Sequence, residues 1–199
     1  MGYTTDERSF IVNTNYKGDL SQIHAIDLRT GRVQPLLSEL RDKEVDFGTL
    51  SDDRSVLAVG INEDGYRTLQ LRRIGEFDQL KLPKIPKGIV GNVVFEGSDM
   101  LYSLDNANTP GLIYKWSYED PDASPVALTE ADTQGIKVEE FRLPELIHYD
   151  SFDGKKIPAF LYLPPDYQKG SKIPFLAYYH GGPEGQFRPG FNRAFQYFL

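Results

Sequence analysis

Few residues in this chain are equipped for chemistry, and the most suggestive of them stand together. In "FLAYYHGGPEGQF" an apolar run ends in His180-Gly181-Gly182-Pro183. Glycine lets a backbone adopt conformations closed to other residues and lets it approach a bound molecule closely. A glycine turn at a strand end can therefore present its N–H groups to a ligand. Attack on a carbonyl places negative charge on its oxygen. Backbone N–H groups fixed near that oxygen stabilise the transition state, typically by about 3–4 kcal/mol per donor. Taken alone, a Gly-Gly turn at a strand end is most often simply a turn, and short motifs carry a known false-positive risk.

The partners that acyl transfer requires are a nucleophile, a base and an orienting acid. The chain has no cysteine, so a thiol nucleophile, thiolate metal sites and disulfides are excluded. No Gly-x-Ser-x-Gly elbow occurs; the nearest approach, Gly97-Ser98, lacks the second glycine. Three histidines are present: His24 and His148 fall within strand patterns, and His180 belongs to the turn. The acidic stretch Glu119, Asp120 and Asp122 has no calcium-loop spacing and reads as a solvated loop. Trp116, Tyr102, Tyr114 and Tyr118 lie at strand spacing and read as packing residues. No phosphate loop or metal-ligand cluster is present, and no cofactor is implied.

The elements that would carry the turn change character along the chain. Its first two thirds contain three similar stretches, "TDERSFIVNTN", "SDDRSVLAVGIN" and "EGSDMLYSLDN". Aligned by letters, Asp6 falls on Asp52, Glu7 on Asp53, Arg8 on Arg54 and Ser9 on Ser55. Each copy continues as strand, polar turn and strand. First strands are expected at 10–15, 56–62 and 100–106, second strands at 22–28, 68–74 and 112–118. Short third strands follow at 33–37, 79–82 and 126–129, and leading strands at 45–50 and 89–95 precede the second and third copies. The first copy has only Met1–Thr4 in that place, so its leading strand is expected to be missing or truncated. A four-strand unit repeating every roughly 40–50 residues marks a β-propeller blade, and about four to eight blades close a ring. About three blades are expected here, an incomplete propeller over residues 1–140.

Beyond residue 140 the repeat stops. Strands are expected at 145–150 and 157–163, joined by a turn through Gly154. Residues 173–179 form an apolar run of the kind that suits a strand covered on both faces, as in an α/β sheet. Phe191, Ala194, Phe195, Phe198 and Leu199 then take helical spacing. Residues 141–199 are accordingly expected to be the first strands and helix of an α/β-hydrolase domain, and the chain reads as a piece cut at both ends.

Composition sets bounds on partners. Forty per cent hydrophobic residues suffice for a packed core. A net charge of −7 argues against nucleic acid or an anionic membrane surface as partner. No apolar run approaches the ~20 residues of a membrane span, and Met1-Gly2-Tyr3-Thr4 leading into Asp6-Glu7-Arg8 is no secretory leader. Solubility is expected, with the cytoplasm as the default compartment. Oligomeric state is not legible.

Blades followed by "SFDGKKIPAFLYLP" and "IPFLAYYHGGP" resemble the prolyl oligopeptidase family of serine peptidases, in its acylaminoacyl peptidase and dipeptidyl-peptidase-like branch. The resemblance is loose over the blades and specific over residues 145–183. It implies a peptide substrate, an acyl-enzyme and no cofactor. It makes His180, Gly181 and Gly182 the oxyanion loop, with the Gly182 N–H as donor. It puts the serine, acid and histidine of the triad after this loop in chain order, so none of the three is expected among these residues, and the chain alone is expected to be inert. Two alternatives stay open: a stand-alone propeller-like binding module, and a carboxylesterase with a similar oxyanion loop.

Overall fold

The computed structural model describes all 199 residues, and its regular structure is almost entirely β. Three antiparallel meanders account for most of it. The first holds β1 (Ser9–Thr14), β2 (Gln22–Asp27) and β3 (Val33–Pro35). The second holds β4 (Val45–Leu50), β5 (Val56–Glu63), β6 (Tyr66–Arg73) and β7 (Gln79–Leu80). The third holds β8 (Ile89–Glu96), β9 (Asp99–Asn106), β10 (Thr109–Ser117) and β11 (Val126–Ala127). One parallel pair, Arg67 with Ile89, stitches the second meander to the third. The meanders do not close into a ring. No helix is long and apolar enough to cross a membrane.

Strand positions follow the sequence pattern to within a few residues, because turn chemistry punctuates them. β5 and β6 meet in a two-residue turn with Asp64 at φ 52° and Gly65 at φ 94°. Positive φ at both positions is the type I′ geometry that matches strand twist. β8 and β9 meet through Gly97-Ser98, with Gly97 at φ 58°. The first meander keeps a stub of a leading strand: Tyr3 bridges Phe10, and the Ile11 N–H donates to the Gly2 carbonyl.

Turn geometry corrects the alignment of the first two copies by one residue. The Thr4 hydroxyl donates to Asp6 at 2.7 Å, and the Ser51 hydroxyl donates to Asp53 at 2.6 Å. The same hydroxyls accept from the Ser9 and Val56 N–H groups at 3.1 and 2.9 Å. Glu7 and Arg54 share the left-handed conformation, at φ 54° and 60°. Asp6 therefore corresponds to Asp53, not to Asp52. What repeats is a hydroxyl–carboxylate turn, and the adjacent pair Asp52-Asp53 hid its register.

The core follows from strand alternation. Leu57, Val59 and Ile61 of β5 pack with Ile11, Ile23 and Val45 on the side of the first meander. Val56 and Ala58 pack with Leu71, Met100 and Tyr102 on the side of the third. Gly60 sits under Phe47, whose ring would lie 2.1 Å from any Cβ placed there. Trp116 is buried and donates from Nε1 to the Ala123 carbonyl at 3.0 Å. Tyr102 and Tyr114 stack at 5.5 Å. These aromatics pack the core, as their spacing predicts.

After the third meander, β12 (Glu145–Asp150) and β13 (Lys156–Leu161) form a separate hairpin. Helix α1 (Arg193–Phe198) begins at Asn192, whose side chain accepts from the Ala194 and Phe195 N–H groups. The strand expected at 173–179 is not formed: these residues carry no regular structure, and Phe175, Leu176 and Tyr179 are 80%, 70% and 82% exposed. A strand exists only through hydrogen bonds to a neighbour, and no other strand of this chain lies beside the run.

Two outcomes test this packing. Leu57→Ala and Leu71→Ala should each lower unfolding free energy in urea by about 2–5 kcal/mol, while Leu176→Ala should change it by under about 0.5 kcal/mol. The Ser51 hydroxyl, with the Ser55 N–H and hydroxyl, holds the Asp53 carboxyl below its ordinary value of 3.8. Asp53 therefore stabilises the fold above pH 3.8, and that contribution is lost as pH falls below it through the depressed folded value. Acid titration should show this extra loss in the native chain and not in Asp53→Ala.

Candidate functional site

The His180–Gly185 segment folds tightly on itself. His180 Nδ1 lies 3.1 Å from the Gly181 carbonyl oxygen, which can only accept, so Nδ1 donates there. Gly185 lies so close beneath that a Cβ there would be 2.6 Å from the same oxygen. Gly182 adopts φ 79°, a region that favours glycine, with open space around it. Conformation, not crowding, demands glycine at 182. The Gly182 N–H makes no hydrogen bond within the chain, and the loop is exposed. A left-handed glycine whose N–H has no partner within the chain can donate to an oxyanion.

Aromatic packing sets where the loop sits. Tyr178, just before it, meets Phe187 at 5.7 Å and Phe195 at 5.4 Å, and those two rings stack at 5.9 Å. Phe160 of β13 touches Phe187, and Tyr66 of β6 touches Phe160. Tyr162 packs edge-on against Phe195, and burial, with smaller effects of Tyr66 and Asp105, pushes its phenol up to about 12. The cluster thus ties the second meander, the hairpin and α1 to both flanks of the loop.

Polar contacts add to this on the downstream flank. Arg188 Nη2 donates to both carboxylate oxygens of Asp46, at 2.9 and 3.0 Å, and Arg67 Nε donates to the same carboxylate at 2.6 Å. Asn62 Nδ2 donates to Gln186 Oε1 at 2.7 Å. The Phe191 N–H donates to Asp105 at 3.0 Å. Sequence pattern points to none of Asp46, Arg67, Asp105, Phe187 and Arg188. Their one local signal is the density of aromatic and arginine residues in "GQFRPGFNRAF".

Other chemically capable residues are placed away from this work. His24 is buried, with Nδ1 against the Gln22 carbonyl at 3.1 Å. His148 Nε2 lies 3.2 Å from Asp64. Ser98 lies within hydrogen-bond reach of the Ser117 hydroxyl, not of a histidine. Asp122 pairs with Lys81, and Glu119 and Asp120 remain exposed. No carboxylate orients His180, so the loop histidine has no triad partner. Two surface clefts, one beside Asp53 and Lys81 and one beside Arg142 and Pro164, do not reach the loop.

No protein-family model matches the chain. Prolyl oligopeptidase A of Amanita bisporigera is 24% identical over 124 residues, which is 60% of this chain and 16% of that protein. A puromycin-hydrolysing peptidase of Mycobacterium tuberculosis superposes on 98% of this chain with a TM-score of 0.81 and 18% identity. A prolyl endopeptidase superposes on 94% with a TM-score of 0.77 and 18% identity. The chain spans 31% and 28% of those two structures. The chain is thus similar in sequence to a prolyl oligopeptidase and shares its fold with prolyl endopeptidase and puromycin-hydrolysing peptidase structures.

Proposed function

We propose that this chain supplies the oxyanion loop of a serine peptidase that hydrolyses short peptides through an acyl-enzyme. Residues 1–140 are then part of a β-propeller, and residues 141–199 the N-terminal part of an α/β-hydrolase domain. The observation that carries the proposal is Gly182, with φ 79° and an N–H free of partners inside the chain. Its N–H donates to the carbonyl oxygen as charge develops there. A second donor is the N–H of the residue after the nucleophilic serine. His180 shapes the turn through its contact with the Gly181 carbonyl, and in this reading it contacts substrate. The meanders shield the reaction from large proteins and admit short peptides. No cofactor enters this chemistry.

Neither serine elbow nor oriented histidine occurs in these 199 residues. The triad of the proposed peptidase therefore belongs to sequence other than this chain. Purified alone, the chain should hydrolyse neither peptide amides nor p-nitrophenyl esters; specific turnover would overturn the division of labour. In an enzyme that contains this chain, Gly182→Ala should lower kcat by roughly 10²–10³-fold with little change in KM. Hydrolysis of esters without amides by that enzyme would replace the peptidase with a carboxylesterase.

A further inference from the structure

The His180–Gly185 loop has two flanks, and hydrogen bonds hold only one. Residues 172–179 make no hydrogen bond to any other part of the chain, and Tyr178 is joined to its surroundings by ring packing. Downstream, hydrogen bonds fix Gln186, Arg188 and Phe191 to one end of the meanders. Asn62, at the end of β5, binds Gln186. Asp46, in β4, binds Arg188, and Asp105, in β9, binds the Phe191 N–H. Gly190 fits so tightly there that a Cβ would lie 2.4 Å from Asp105 Oδ2.

The Asp46 contact differs from a surface ion pair. Side-chain exposure is 12% at Asp46, 22% at Arg67 and 24% at Arg188. One carboxylate serves two guanidiniums, and removing it would leave two positive charges partly desolvated and facing each other. Both oxygens are engaged, Oδ1 by Arg188 Nη2 and Oδ2 by Arg188 Nη2 and Arg67 Nε, and charge-assisted hydrogen bonds of this kind are the strong ones. From Arg188, only Gln186 and Phe187 intervene before Gly185, whose backbone presses on the Gly181 carbonyl. A short, packed path therefore runs from Asp46 to the glycines.

We infer that Asp46 and Asp105 are positioning residues for the glycine loop: the meanders, through Arg188 and the Phe191 N–H, set where Gly181 and Gly182 stand. The functional meaning rests on the oxyanion role proposed for Gly182, but the positional claim does not. It predicts coupling between one end of the meanders and a loop that neither carboxylate touches.

The test uses the 199-residue chain labelled with ¹⁵N-glycine, read by the amide signals of Gly181, Gly182 and Gly185. Asp46→Asn and Arg188→Gln should each shift these signals and lower their heteronuclear NOE. Arg188→Lys, which keeps a charge on Asp46, should bring them part of the way back. Asp150→Asn, which removes an exposed partner of Lys156, should leave them unmoved. Signals of Gly48 and Gly60 in the second meander report whether the fold is intact. Unchanged loop signals in Asp46→Asn with Gly48 and Gly60 in place would overturn the inference. Should Asp46→Asn unfold the chain, Gly190→Ala decides: it displaces Asp105 from the Phe191 N–H without removing a charge, and an unmoved loop there is equally fatal. Failure of the oxyanion role itself shows separately, as an undiminished kcat for Gly182→Ala in the enzyme that contains the chain.

Discussion

Strand β5 has no solvent-facing side. Leu57, Val59 and Ile61 press into one apolar cluster and Val56 and Ala58 into another, with none more than 2% exposed. A single meander is too thin to bury its own apolar faces, so each must be covered by a neighbour. β5 receives such cover on both sides, which makes the second meander the middle layer of a stack. Its neighbours are then fixed in place, and so are the strand ends that face the C-terminal segment. The hairpin, the segment 186–191 and α1 dock onto that end through contacts that include Asp46, Asn62, Asp64, Tyr66, Asp105 and Ala107.

Two kinds of force divide the work at this junction. Ring packing among Tyr66, Phe160, Phe187, Phe195 and Tyr178 supplies apolar burial with little directional demand. The Arg188–Asp46–Arg67 contact and the Phe191–Asp105 hydrogen bond supply direction. The oxyanion role proposed for Gly182 would need both, since a misplaced N–H loses much of its effect on a developing charge. Gly182 is accordingly uncrowded, but its left-handed conformation and its neighbours hold it in place.

Sequence legibility varied with the range of the interactions involved. The meander strands could be placed because turn residues are local: Asp64-Gly65 and Gly97 tolerate the positive φ that these turns adopt. The register of the first repeat could not, because Asp52 and Asp53 read alike until the Ser51 hydroxyl selects one. Asp46 is indistinguishable by sequence from exposed Asp42 nearby; a partner 142 positions away makes the difference. The His-Gly-Gly motif was visible, and so was the need for glycine. That the need at 182 is a left-handed φ while at 185 it is close packing appears only in three dimensions.

Two apolar runs mark the boundary. By pattern alone, 56–62 reads as an apolar strand and 173–179 as a strand covered on two faces. The first finds Leu71 and Met100 on one side and Ile11 and Ile23 on the other, and is buried. The second finds no strand to pair with and stands exposed. Sequence by itself determined which residues are apolar, which turns are tight and which glycines can present an N–H, because those properties reside in single residues and their immediate neighbours. Tertiary structure decided which runs become strands, which carboxylates become anchors and where the glycine loop stands, because pairing and burial need partners that only the folded chain brings within reach.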